Sequence, residues 1–432
     1  MDAKITLRAI TENNLIFISA QPDEVYFHWQ VELYLYQFAK HGIADRCYAL
    51  FGYKGDAPSE QLKQLSTKFK NIIWYKDDRI IPTEHHYIPS IRPHLLKKFF
   101  KEYPSLGRNV FYHDSDILLV HMPKFELMLN DDVAYLSDTV GYIGASYIKE
   151  CTARYREKYT ELPDNDLFIK MCECTGVSPE LIERNELNSG GAQYLLKDID
   201  CHYWEEVESK CTELYQMMKK YETKYPIGHH IQSWTTDMWI VLWLYWKRNK
   251  ATKIHKELEF SWATWSLKEF ELHTIFHLAG VTDSNKSDKF FKGAYNNKNV
   301  FDEYKKDRHI FDHVSPTNAT FGYITLIKEY VYERLDGEYI DTPQSVREFS
   351  FIANQHFDGL YVKDVAKYYF GKPVWRRTDG AYLMFHNTNV WVLTATAFES
   401  DISRECGGYA SNTAEYPFIN GWNVECETLA PA

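Results

Sequence analysis

A run of apolar residues long enough to cross a bilayer is missing from this 432-residue sequence. The most apolar stretch, Met238 to Trp246, is far shorter than the roughly 20 residues a span needs, and Lys247 and Arg248 follow it. Met1-Asp2-Ala3-Lys4 opens no apolar signal region, so a cytoplasmic protein is expected. Cysteines at metal spacing are missing too. The eight cysteines are scattered over positions 47, 151, 172, 174, 201, 211, 406 and 426, with no CxxC pair. Their even number allows disulfides arithmetically, but their scatter favours buried thiols in a reducing compartment. Basic charge is in deficit: 49 Lys and Arg face 60 Asp and Glu, for a net charge of −11. That argues against a broad surface for gripping phosphate backbones. Neither a strict repeat nor a low-complexity segment appears.

Aromatic residues, by contrast, are abundant: 25 Phe, 32 Tyr and 12 Trp. Apolar residues at 45% and charged residues at 25% are ordinary for a globular chain, and the length predicts two to three domains. Residues 15–20 (Leu-Ile-Phe-Ile-Ser-Ala) read as a buried strand opening into a loop. Val31, Tyr34, Leu35 and Phe38 share one helical face within Tyr26 to His41. Strands are predicted at 46–52, Asn71 to Tyr75 and Asn109 to Tyr112, and helices at 59–69 and Pro93 to Phe100. Strands alternating with helices at this spacing predict an α/β fold with a mostly parallel sheet, and ligands at the carboxyl ends of its strands. Further on, 202–222 reads as an amphipathic helix and Trp234 to Trp246 as a buried one, whereas 283–320 turns polar and reads as a long surface segment. From about 336, short aromatic runs separated by glycines predict a small antiparallel β module. The expected domains are therefore 1–335 and 336–432.

The sharpest local signal is Val110-Phe111-Tyr112-His113-Asp114-Ser115-Asp116-Ile117-Leu118-Leu119. An apolar strand runs into two carboxylates at i and i+2, and a second apolar run follows at once. Two acids at a buried strand end need a counter-charge. A divalent cation with hard oxygen ligands supplies it economically.

Here the sequence resembles the glycosyltransferases of the GT-A fold, over roughly residues 12–300. These enzymes place an Asp-x-Asp at a strand end to hold Mn²⁺ or Mg²⁺ against the diphosphate of a nucleotide-sugar. Leu187-Asn188-Ser189-Gly190-Gly191-Ala192 is similar to the segment they use beside the donor sugar. Asp237, in Trp234-Thr235-Thr236-Asp237, lies where they carry an acidic residue facing the reacting centre. Phe276-His277-Leu278-Ala279-Gly280 followed by Phe290-Phe291-Lys292-Gly293 looks like a stretched form of their His-x-x-Gly-x-x-Lys-Pro-Trp signature. It departs from that signature in the long gap before Lys292 and in the missing Pro-Trp.

The resemblance implies Asp114, Asp116 and His277 as metal ligands, Mn²⁺ or Mg²⁺ as cofactor, and Asp237 and Gln193 as catalytic residues. It implies donor contacts from Ser115, Asn188, Gly190, Gly191, Gly280 and Lys292. By their place at the end of the first strand Ser19, Ala20 and Gln21 are expected to approach the base and ribose, and Arg92, just before a helix, to bind phosphate, its alternative being a surface residue. The expected donor is a nucleotide-sugar, a UDP-sugar foremost, and the acceptor a protein or glycan hydroxyl. For Asp237 the bland alternative is an acid suited to a helix N-terminus, for Gln193 a surface amide, and for His277 a core histidine. Two other functions stay open: a DNA-base glycosyltransferase, which the acidic balance disfavours, and a non-catalytic carbohydrate-binding protein built on the aromatic module.

Overall fold

The computed structural model describes residues 15–80 and 86–335, and beyond them the backbone of strands between 348 and 425. In chain order the elements are β1 (Leu15–Pro22), α1 (Val25–Lys40), β2 (Cys47–Tyr53), α2 (Glu60–Lys68), β3 (Ile72–Lys76), α3 (Ile91–Glu102), β4 (Asn109–His113) and β5 (Ile117–Leu119). Next come β6 (Ala134–Asp138), α4 (Val140–Ile143), α5 (Ala145–Lys158), α6 (Asp166–Thr175), α7 (Pro179–Arg184), β7 (Gly190–Lys197), α8 (Cys201–Lys224), α9 (Thr236–Lys247) and β8 (Thr252–Ile254). The chain continues with β9 (Phe260–Trp262), α10 (Leu267–Leu272), β10 (Ile275–His277), α11 (Val300–Lys306) and α12 (Ala319–Tyr330).

Two compact units result. The first comprises Met1–Phe260 with His273–His277, and the second Ser261–Leu272 with Leu278–Ala432. The expected boundary near 335 lies inside the second.

The first unit is built on a seven-stranded sheet in the order β3-β2-β1-β4-β7-β6-β8. The pairs β1/β2, β2/β3, β1/β4 and β6/β8 are parallel, and β4/β7 and β6/β7 antiparallel, so the sheet is mostly parallel. Strands covered on both faces read as continuous apolar runs rather than alternating ones. β1, β4 and β7 are buried along their whole length. Chain order reverses at β1, whose neighbours are β2 on one side and β4 on the other, and such a switch point opens a crevice at the carboxyl ends.

Helices α3, α8 and α9 pack in succession, with α3 also against β1. Asp200 caps α8 by accepting the Tyr203 N–H at 2.8 Å, and Ser59 caps α2 by accepting that of Leu62 at 3.1 Å. α9 is buried almost all round, as its composition predicts, but Trp234, just before it, is 64% exposed. The six cysteines among the described residues are free thiols. No described helix is long and apolar enough to cross a membrane.

In the second unit the polar stretch 283–320 is more than surface. Its scattered aromatics make a core of their own: Phe290 stacks on Tyr295 at 5.4 Å and on Tyr323 at 5.6 Å, and Tyr304 on Phe311 at 5.3 Å. Composition hid this because few, large rings supply the buried area among many small polar residues. A second sheet of seven strands, β11 (Glu348–Phe351), β12 (Gly359–Tyr369), β13 (Lys372–Arg377), β14 (Tyr382–His386), β15 (Val390–Thr394), β16 (Tyr409–Asn412) and β17 (Asn423–Glu425), runs in sequence order. Each strand pairs antiparallel with the next.

Candidate metal centre

β4 carries the chain to the carboxyl edge of the sheet, where it turns through Asp114-Ser115-Asp116 and leaves as β5. β5 pairs antiparallel with β10, in a register that sets His277 opposite Ile117, the residue after Asp116. Strand pairing thus closes a separation of more than 150 positions. His277 Nε2 lies 3.6 Å from Asp114 Oδ2 and 3.4 Å from Asp116 Oδ1. One ligand atom from each of the three falls within 4.8 Å of the others. The side chains are 18%, 8% and 9% exposed for Asp114, Asp116 and His277, so the group opens to solvent mainly at Asp114.

Neighbouring groups hold the turn. Burial pushes the His113 imidazole down to about 4, so it is neutral at pH 7 and its Nδ1–H donates to the Asp114 carbonyl at 2.8 Å. Ser115 Oγ donates to Gln30 Oε1 of α1 at 3.2 Å.

A second carboxylate group adjoins the first. Arg92, in the first turn of α3, donates through one terminal nitrogen to Asp114 Oδ1 and through the other to Asp237 Oδ2, both at 2.9 Å. Burial works against the Arg92 charge, but the two carboxylates outweigh it and hold the guanidinium protonated. Asp237, in the first turn of α9, is also bound by Tyr87. The Tyr87 hydroxyl accepts the Asp237 backbone N–H at 2.9 Å and lies 2.7 Å from Asp237 Oδ1 and 3.0 Å from the Trp234 carbonyl. It has one proton, and the shorter, charge-assisted contact to the carboxylate takes it. Burial raises the Asp237 carboxyl, Arg92 and Tyr87 pull it back, and the net direction is upward.

Gln193 is fully buried on β7, opposite His113 on β4, and its amide reaches His277 Nδ1 at 3.5 Å. Asp114, Asp116, Arg92, Gln193, Asp237 and His277 therefore form one connected cluster inside the first unit.

Other expected residues are placed as follows. Ser19 and Gln21 end β1, but the Ser19 hydroxyl is bonded to Tyr34 at 2.7 Å and the Gln21 amide donates to the Leu50 carbonyl at 2.8 Å. Ala20, between them, is buried. Asn188 is half-buried, and its carbonyl accepts from Thr252 at 3.0 Å. Gly190 and Gly191 open β7. A Cβ on Gly190 would meet the Ser137 carbonyl at 2.4 Å, and one on Gly191 the Tyr194 hydroxyl at 2.5 Å. Packing within the sheet is thus enough to require Gly190, whereas a Cβ on Gly191 would meet only the ends of the Tyr194 and Met238 side chains. Gly280 (φ +91°) and Lys292 belong to the second unit.

Tyr87 and Ser137 have no signal in the sequence. Tyr87 sits in an unremarkable Tyr-Ile-Pro-Ser segment, 150 positions from the aspartate it binds.

No family model matches the sequence, and no curated protein does. Several solved structures are similar to it. The WbbM bifunctional glycosyltransferase in its apo form has a TM-score of 0.33 and 10% identity, over 64% of this chain and 47% of its own. This chain therefore spans about half of that protein. The galactosyltransferase LgtC, in complex with donor and acceptor sugar analogues, has a TM-score of 0.30 and 11% identity over 61% of this chain and 87% of its own. Core-mannan synthase A of Aspergillus fumigatus, in its Mn/GDP form, has a TM-score of 0.28 and 10% identity over 58% and 74%. At these scores the likeness assigns no function, and the functional reading rests on the residues of the site.

Proposed function

We propose that the chain is a metal-dependent glycosyltransferase that moves a sugar from a nucleotide-sugar to a hydroxyl acceptor on a protein or glycan. The observation that carries the reading is the convergence of Asp114, Asp116 and His277 at the carboxyl end of β4. Two carboxylates and one imidazole suit a hard divalent cation, and of Mn²⁺ and Mg²⁺ the imidazole favours Mn²⁺. When bound, the cation neutralises the diphosphate and stabilises the charge that develops on it as the glycosidic bond breaks.

The chain's own residues do the rest. Arg92 neutralises and orients Asp114 on one side and Asp237 on the other. The Asp237 carboxylate has about four acceptor directions, and Tyr87 and Arg92 use two. The remaining ones accept hydrogen bonds from hydroxyls of the donor sugar or of the acceptor. Its upward-shifted carboxyl suits it to share a proton there. The base and ribose of a UDP-sugar approach the end of β1 at Ser19, Ala20 and Gln21. Ser19 and Gln21 are engaged internally and Ala20 packs into the core, so the backbone makes the contact. Ser115, Asn188, Gly190 and Gly191 line the sugar side.

The test is a thermal-shift ranking of UDP, GDP and their sugar conjugates with and without Mn²⁺, followed by Asp114→Ala and Asp116→Ala. One nucleotide is expected to shift the midpoint only with metal, and each variant to lose that shift and at least about a thousandfold in turnover, the several kcal/mol a Lewis acid contributes. Full turnover in both variants would sink the reading.

A further inference from the structure

The buried Gln193 amide makes three polar contacts that must be reconciled. Ser137 Oγ lies 2.7 Å from Gln193 Oε1 and 2.6 Å from the Leu258 carbonyl oxygen, and Gln193 Nε2 lies 3.5 Å from His277 Nδ1. Ser137 and Gln193 are both fully buried, so every one of these groups needs a complementary partner. Ser137 has a single hydroxyl proton, which cannot serve two oxygens. With the proton given to Gln193, two oxygens would face each other bare at 2.6 Å. With it given to Leu258, the same would hold at 2.7 Å.

A 180° turn of the amide exchanges its oxygen and nitrogen without moving a heavy atom, and such ends are told apart only by their partners. After the turn every contact has one donor and one acceptor. Ser137 donates to the Leu258 carbonyl. The Gln193 NH₂ donates to Ser137 Oγ. The Gln193 carbonyl oxygen faces His277 Nδ1 and accepts its proton, at the long end of hydrogen-bond range.

That assignment has a consequence at the other ring nitrogen. A neutral imidazole with Nδ1 protonated presents a bare lone pair at Nε2, the atom facing Asp114 and Asp116. We infer that Gln193 is a positioning residue: through the relay Leu258 carbonyl, Ser137, Gln193, it fixes His277 in the tautomer whose Nε2 can ligate a divalent cation. The inference rests on the reading of Asp114, Asp116 and His277 as metal ligands.

The backbone is shaped for this. β7 carries two more residues than β6 between Leu136↔Tyr194 and Asp138↔Gly190, and Ala192 within that bulge takes φ +66°. A bulge re-aims the side chain beside it, and the left-handed alanine costs strain that a regular strand would avoid. The side chain beside it is Gln193, one residue on.

Calorimetric titration of the protein with Mn²⁺ alone, together with nitrogen-15 NMR of the His277 ring in metal-free protein, tests the inference. Gln193→Leu, which takes the amide away from buried Ser137 Oγ and so lowers the metal-free melting midpoint, is expected to weaken Mn²⁺ binding about 10- to 100-fold. Gln193→Glu, whose protonated carboxyl donates to Ser137 Oγ and accepts from His277 Nδ1, should bind Mn²⁺ as tightly as the wild type or tighter. Ser137→Ala, the milder variant, should weaken binding several-fold. In the wild type, Nδ1 should carry the proton. Wild-type Mn²⁺ affinity in Gln193→Leu, loss of affinity in Gln193→Glu, or a proton on Nε2 would each overturn the inference. A wild type that binds no Mn²⁺ but has Nδ1 protonated would instead overturn the metal reading and leave the tautomer assignment standing.

Discussion

Two charged clusters of the first unit lie on either side of Tyr87, and they are built differently. On the α3/α8 side, in a cleft of about 600 Å³ that Tyr87 also lines, carboxylates and bases touch directly. Lys98 meets Asp78 at 2.5 Å, His94 meets Asp78 at 2.9 Å and Glu208 at 2.8 Å, and Lys97 meets Glu208 at 2.5 Å. On the β4 side, His277 Nε2 stands 3.4 to 3.6 Å from its two aspartates, longer than any contact of the first cluster, and faces both carboxylates around a common point. Ligand bonds of about 2.0–2.2 Å put two donors on one ion up to about 4 Å apart, which is the spacing seen. The difference separates a structural ion-pair network from a site shaped for a third party. The first pairs acid with base directly and the second converges on a point.

The comparison can be broken in order of expected effect. Chelation with EDTA should abolish transferase turnover, and added Mn²⁺ should restore it. At a hundredfold excess over its dissociation constant Mn²⁺ should raise stability by about 2.7 kcal/mol, read by calorimetry, in the wild type and in Glu208→Gln alike. A Glu208→Gln protein that lost the metal effect would merge the two clusters.

Arg92→Met leaves two carboxylates without the guanidinium they share. It should lower stability by about 3–5 kcal/mol in chemical denaturation and depress turnover as well. Tyr87→Phe keeps the ring against Tyr215 and removes only the hydroxyl on Asp237. A hydrogen bond to a charged group contributes about 1.5–3 kcal/mol, so kcat should fall about 10- to 100-fold while Mn²⁺ affinity holds. Unchanged kcat would remove Tyr87 from the site.

The smallest effect belongs to the paired cluster. Glu208→Gln should lose about 1–3 kcal/mol of stability with no change in turnover. Its pH counterpart follows from Glu208, Asp77 and Asp23. Burial pushes each carboxyl up, but His94 and Lys97, Arg79, and His28 with Ser59 outweigh it, and all three end below their ordinary values. The unfolded chain therefore takes up protons first on acidification. The stability these groups lend is complete above their ordinary values near pH 4 and drains as the pH falls through the lower folded ones. Denaturant midpoints measured from pH 6 to pH 2 should decline only at the acid end. In Asp77→Asn that decline should be shallower.

Much of the first unit was legible because its signals are local. The apolar run at 15–20, the helical face of Val31, Tyr34, Leu35 and Phe38, and the polar helix opened by Ser59 each report their state within a few residues. Asp114 and Asp116 were legible for the same reason, an acid pair between two apolar runs. The core of the polar stretch 283–320 is not legible in the sequence because its buried rings are widely spaced. Lys292 could not be placed beside the Asp-x-Asp turn by spacing, since the gap after Gly280 breaks the pattern that would have fixed it. The aromatic excess has a partial account in α9 and in the Phe290, Phe311 and Tyr323 cluster, and the expected β module lies among residues whose side chains are outside the described set.

By itself the sequence determined the order of strands and helices and the acid pair that ends β4. These follow from hydrophobic periodicity and from the cost of burying charge, which neighbouring residues reveal. Only the tertiary structure decided who joins that pair. His277 arrives by the β5/β10 register, Asp237 through Arg92 and Tyr87, and Gln193 through a bulge in β7. Each contact joins residues about 80 to 160 positions apart. No local pattern encodes them, because strand register and helix packing are settled by the burial of whole faces rather than by any one segment.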